Sequence, residues 1–114
     1  MAPPYQHALS SSRKWGGEPE DYLEIHQWFD ESKAHYADFR HRAMRHHSEG
    51  IFEMEKVFGP TITVFKGSTE ERKVPTRLVG EQHVKEDLGW IPNISEWLKH
   101  IKPEEWMNKP RKIE

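Results

Sequence analysis

The chain has 114 residues, a formal charge of -2 from 17 basic and 19 acidic side chains, and no cysteine. A second domain, a disulfide framework, thiolate-held zinc and thiol chemistry are thereby excluded, and the near-neutral balance argues against a general nucleic-acid binder. Leu, Ile, Val and Phe number only 22, so the five Trp and three Tyr must carry much of a thin core.

No apolar run reaches the length of a membrane helix, and Met1 to His7 lacks the charged-then-apolar pattern of a secretory signal. A cytoplasmic setting is the expectation. Residues 1–20, with Ser10–Ser12 and Gly16-Gly17, read as a loop-like N-terminal arm that docks through Tyr5 and Trp15. Residues 21–107 form a single domain in this reading, and residues 108–114 a solvated tail.

From Ile25 to Phe58 the pattern is helical. Ile25, Trp28, Phe29, Tyr36, Phe39, Ala43, Met54, Val57 and Phe58 share one broad face, and Gly59-Pro60 stops the run. Its length makes a break near residues 30–32 or near Gly50 plausible. Residues 61–65 and 73–79 are β-rich and read as a hairpin, with Pro75 forcing an edge position. A short helix over 80–88 ends at Gly89, and another runs from about Ser95 to Ile101, with Trp90, Trp97 and Trp106 locking it down. The expected architecture is α+β: a long helical spine, a β-hairpin and two short C-terminal helices.

Eight histidines are the chemical signal. Histidine is the commonest metal ligand, and a residue three or four positions along a helix shares its face. His35/Asp38, His46/Glu49 and His83/Glu86 pair at the first spacing, with Asp87 four beyond His83. His46 lies on the apolar arc beside Glu53, where an imidazole needs a partner. If the hairpin folds the 80–88 helix back on the spine, His46, Glu49, Glu53, His83 and Asp87 converge on Zn²⁺, Fe²⁺ or Mn²⁺. With an open coordination position, hydrolysis by a metal-bound water follows, with Glu86 as base. The competing arrangement is core-edge histidines satisfied by Glu53 or by backbone.

A second constellation is basic. Arg40, Arg42 and Arg45, with His41 nearby, suit phosphate, nucleic acid or a host protein, against the plainer reading of a solvated face. The thin core also favours a homodimer.

The stretches Ala8–Gly17, Trp28–His35, His41–Gly50 and Gly80–Gly89 resemble a family of small uncharacterised proteins of bacteria and their phages, from about residue 7 to residue 106. The resemblance implies one small domain in a prokaryotic or phage setting and carries no activity.

Overall fold

A computed structural model describes residues 3–112. It has helices α1 (Pro4–Trp15), α2 (Glu20–Asp30), α3 (Ser48–Phe58), α4 (Thr76–Leu88) and α5 (Ile94–Leu98). Strands β1 (Thr61–Val64) and β2 (Arg72–Pro75) lie between α3 and α4. Short 3-10 turns occupy Glu31–Ala34, Phe39–Met44 and Glu105–Met107. The α+β class holds, and three elements differ from the sequence reading.

The first difference is α1, a helix where a loop-like arm was expected. Pro4 stands at its first turn, where a missing N–H costs nothing, and Gly16 closes it at φ 89°. Its inward face is His7, Ala8 and Ser11. That face is polar, so hydrophobic periodicity gives no sign of it.

The second is the spine, which breaks at Asp30, the first of the two places expected, but through a long turn rather than a kink. Asp30 ends α2, and residues 31–47 turn back before α3 begins. Polar side chains hold this turn with their own local bonds. Ser32 Oγ bonds His41 Nδ1 at 2.8 Å, and Asp38 accepts from the Arg40 N–H. His47 Nδ1 accepts from Gly50 N at 2.9 Å while its Nε2 donates to Ala43 O, so His47 is the N-cap of α3. Such bonds compete with helical ones. Gly50 permits the tight return, since a Cβ there would stand 2.0 Å from the Arg45 carbonyl oxygen. In consequence Tyr36, Phe39 and Val57, expected on the apolar face, are exposed.

The third is α4, which starts at Thr76 rather than residue 80. Pro75, at φ -61°, ends the strand and caps the helix, so residues 76–79 are helical and Val79 is buried. The hairpin is antiparallel, with Ile62 opposite Val74 and Val64 opposite Arg72. Val64 and Val74 join Ile25, Phe29, Ile51, Met54, Val79 and Val84 in the apolar core. Gly80 lets α4 approach closely: a Cβ there would meet Met54, Phe29 and Ile51 within 3.3 Å. Of the late tryptophans, Trp97 alone bonds toward the spine, donating to His46 O at 3.0 Å. Trp90 and Trp106 are exposed.

Candidate metal centre

α2 and α4 carry the same device: a histidine with an aspartate four residues on. His26 and Asp30 lie on α2, His83 and Asp87 on α4, so each pair shares one helix face. The turn before α3 adds His46, and α1 adds His7 with Ser11 one turn later. All four imidazoles are at most 1% exposed.

Asp30, His46, His83 and Asp87 bring one ligand atom each within 4.8 Å of one another. His46 Nε2 is 2.9 Å from Asp87 Oδ2 and 3.7 Å from Asp30 Oδ1. His83 Nε2 is 3.2 Å from Asp87 Oδ2 and 3.5 Å from Asp30 Oδ1. Ligands about 2.0–2.1 Å from a tetrahedral ion stand roughly 3.3 Å apart, and these four spacings straddle that value. Phe29 stacks on His83 with ring centroids 4.8 Å apart and meets His46 edge-on at 5.7 Å, which fixes both rings.

His7, His26 and His83 also cluster, but hydrogen bonding accounts for them. Gln82 Nε2 faces two acceptors, His7 O at 3.0 Å and Glu86 Oε1 at 2.9 Å, so Gln82 Oε1 faces Ser11. Ser11 Oγ thus faces two acceptors, Gln82 Oε1 at 2.6 Å and the His7 carbonyl at 3.1 Å, which take its one proton. The hydroxyl then accepts from His26 Nε2–H at 2.8 Å. That leaves His26 Nδ1 bare, to accept from His83 Nδ1–H at 2.9 Å. With the His83 proton placed on Nδ1, Nε2 is the ring atom that faces two carboxylates. Asp30 shows the same want of a positive partner, since neither oxygen has a hydrogen bond among the described residues. Buried acceptors facing acceptors are costly unless a cation lies between them.

Burial pushes the His26 pKa down to about 2, with the neighbouring His83 and His7 adding to the effect, so His26 is neutral. Burial also lowers His46. His7 is opposite: burial opposes its charge, but the hydrogen bonds to Asp87 and Glu86 outweigh burial and raise it. Burial pushes Asp87 up, yet the hydrogen bonds to His46 and His7 and the adjacent His83 ring hold it far below the ordinary carboxylate range. Asp30 is likewise lowered against burial, chiefly by His83.

Of the residues expected to converge, His46, His83 and Asp87 do so. Glu49 and Glu53 are exposed on α3 and stand apart. Glu49 instead accepts from Ile94 N at 2.8 Å and from the Ser48 hydroxyl, tying α5 to the start of α3. Their placement rested on one helical wheel drawn across residues 25–58, and the turn at 31–47 removes it. Glu86, expected as a base, bonds His7 Nδ1 at 2.7 Å, Ser10 Oγ at 2.6 Å and Gln82 Nε2 at 2.9 Å, and so reaches the quartet only through intermediaries. The basic residues divide. Arg40 is locked onto Asp38 and lies over Tyr36. Arg45 stacks on Trp28 and bonds Glu31. Arg42 alone turns to the centre, Nη2 3.9 Å from Asp87 Oδ1. Asp30, His26 and His7 were missed, although His26/Asp30 repeats the spacing of His83/Asp87.

The model of a domain of unknown function (DUF6915) matches residues 2–107. No curated protein and no solved structure matches the chain. Among the described residues no helix is long and apolar enough to cross a membrane.

Proposed function

Because the chain belongs to that family of unknown function, no activity comes from relatives, and we propose from the site that it binds one divalent transition ion. Asp30 and Asp87 supply oxygens and His46 and His83 supply Nε2, a mixed N/O set suited to Zn²⁺, Fe²⁺ or Mn²⁺. The observation that carries the reading is the hydrogen-bond relay from Gln82 through Ser11 and His26, which turns the His83 Nε2 lone pair toward two carboxylates. His26 and His7 are then outer partners that fix a ligating imidazole and a ligating carboxylate, a usual accompaniment of metal sites. Glu86 steadies His7 in this scheme. A hydrolytic role requires in addition an open position on the ion.

The test is elemental analysis of tag-free protein, followed by titration of the metal-free form with Zn²⁺ or Co²⁺. One ion per chain is expected, with the visible spectrum of four-coordinate cobalt, lost in Asp30→Asn and in His83→Ala. Uptake that survives both substitutions, or no uptake at all, overturns the proposal in favour of a protonated His83 held between the two aspartates.

Nucleic acid or a host protein on the Arg40–Arg45 face has less behind it, since Arg40 and Arg45 already have partners. The homodimer stays a proposal motivated by exposed Phe39, Leu98 and Ile101, and size-exclusion chromatography checks it.

A further inference from the structure

Arg42 is the one member of the basic cluster that the rest of the fold leaves underused. Its side chain is 15% exposed. Its Nε is buried and has no acceptor among the described residues. Its Nη2 stands 3.9 Å from Asp87 Oδ1, beyond hydrogen-bond length, and that is the closest acid it meets. A buried guanidinium donor without an acceptor is rare, because the group loses water and gains nothing.

Charge points the same way. Asp30 and Asp87 together carry two negative charges, which a divalent ion balances. Once the ion is bound, Asp87 is committed to it and the Arg42 guanidinium has no counter-charge of its own. Arg40 and Arg45 cannot supply this role, being engaged with Asp38, and with Glu31 and Trp28. A planar fork of N–H donors beside a divalent ion suits a tetrahedral oxyanion, which takes two parallel bonds from arginine.

Resting on the metal reading above, we propose that the loaded centre binds a phosphate group, free or as a monoester, with Arg42 gripping its oxygens beside the ion. The anion completes Arg42 and is excluded from the metal-free protein, where Asp30 and Asp87 repel it.

The experiment is calorimetric titration of inorganic phosphate into Mn²⁺-loaded protein, with metal content measured on the same samples. Wild type should bind one phosphate per chain when loaded and none after chelation. Arg42→Gln should weaken phosphate about 10-fold or more, the worth of a charge-assisted bond, while still holding one ion. Arg42→Lys, which keeps the charge and loses the fork, should fall between. Phenyl phosphate run in parallel separates the two sources: tighter than inorganic phosphate assigns a monoester, weaker assigns the free ion. Loaded wild type that ignores phosphate, or Arg42→Gln that binds it as well as wild type, overturns the proposal and leaves the metal reading standing. Failure of wild type to take up any ion overturns both.

Discussion

The interior has two halves of equal membership and opposite chemistry. Among the described residues, eleven buried side chains are apolar and eleven are polar, six of them histidines. The apolar half lies where α2, α3, α4 and the hairpin meet; much of the polar half lies among α1, α2, α4 and the turn before α3. Each large side chain of the first contributes about 1.5–3 kcal/mol by leaving water. The second gains little of that, because each buried imidazole and carboxylate must recover its lost hydration through a partner. The apolar half therefore accounts for folding. The polar half is a standing cost that an ion bound as proposed would offset, which is the pattern of a site rather than of a core.

Phe29 belongs to both halves, so Phe29→Ala is the most damaging single change. It removes a fully buried ring from the core and the stacking partner of His83. We expect a loss of about 3–5 kcal/mol, read by urea unfolding, together with weaker metal uptake. Met54→Ala should cost a similar amount, since Met54 is also fully buried in the core, yet leave uptake intact. If both variants bind metal alike, the rings need no support from Phe29.

Metal itself should separate the halves next. An ion present at 1,000 times its dissociation constant adds about 4 kcal/mol to the folded state, on the order of 15–20 °C in melting temperature. Chelator should remove that gain from wild type and change nothing in Asp30→Asn. In chelator the Asp30→Asn variant should lose little stability: its amide replaces a buried carboxylate whose oxygens have no hydrogen bonds, and gives up only what the ionised form gains from the nearby His83. A marked loss of stability there would show that Asp30 holds the fold together rather than an ion.

The two halves were also unequally legible in the sequence. Hydrophobic spacing indicated the class, the hairpin and the Gly89 stop, because burial of apolar groups follows helix and strand periods. It failed wherever the interior is polar. α1 buries His7 and Ser11, and the turn at 31–47 is held by Ser32, His41 and His47, none of which an apolar pattern registers. Asp87 was found because it trails His83. Asp30 was not, because the acid counting used the three-residue spacing, whereas both observed His–Asp units use four. The quartet itself depends on a chain reversal between α2 and α3, a long-range fact that no local motif encodes.

Acid should distinguish the halves in metal-free protein, since only the polar one titrates. The His26 pKa falls from 6.5 unfolded to about 2 folded, through burial. Between pH 6.5 and pH 4.5 the unfolded chain takes up a proton that the folded one refuses, so stability falls as pH falls. One such group sets a slope of about 1.4 kcal/mol per pH unit. His46 and His41, both lowered by burial, tilt the curve the same way. His7, raised, tilts it oppositely: its contribution is full below pH 6.5 and fades as pH rises through its folded value. His26→Gln should therefore flatten the acid limb by close to one group's slope, measured by urea unfolding in chelator from pH 4.5 to pH 6.5. A slope as steep as wild type would mean that His26 is already protonated in the fold, and the relay that sets the His83 tautomer would be lost with it.

The smallest effects belong to Glu49 and Glu53, whose exposure on α3 separates them from both halves. Glu53→Gln should leave metal affinity within about twofold of wild type, as expected for sites without shared partners. Glu49→Gln should do the same for metal while loosening α5, because it weakens the acceptor for Ile94 N–H at the start of that helix. Faster amide exchange at Ile94 and a changed Trp97 emission would report the loosening, since Trp97 bonds the His46 carbonyl. The Glu49 substitution thus perturbs the backbone of a proposed ligand without touching its ring. Metal affinity that holds while Trp97 shifts would place the His46 imidazole under the control of Phe29 and Asp87 rather than of the C-terminal helix. A tenfold loss of metal, the scale seen when an outer partner of a metal site is removed, would instead extend the centre across α3 to the Glu49 carboxylate.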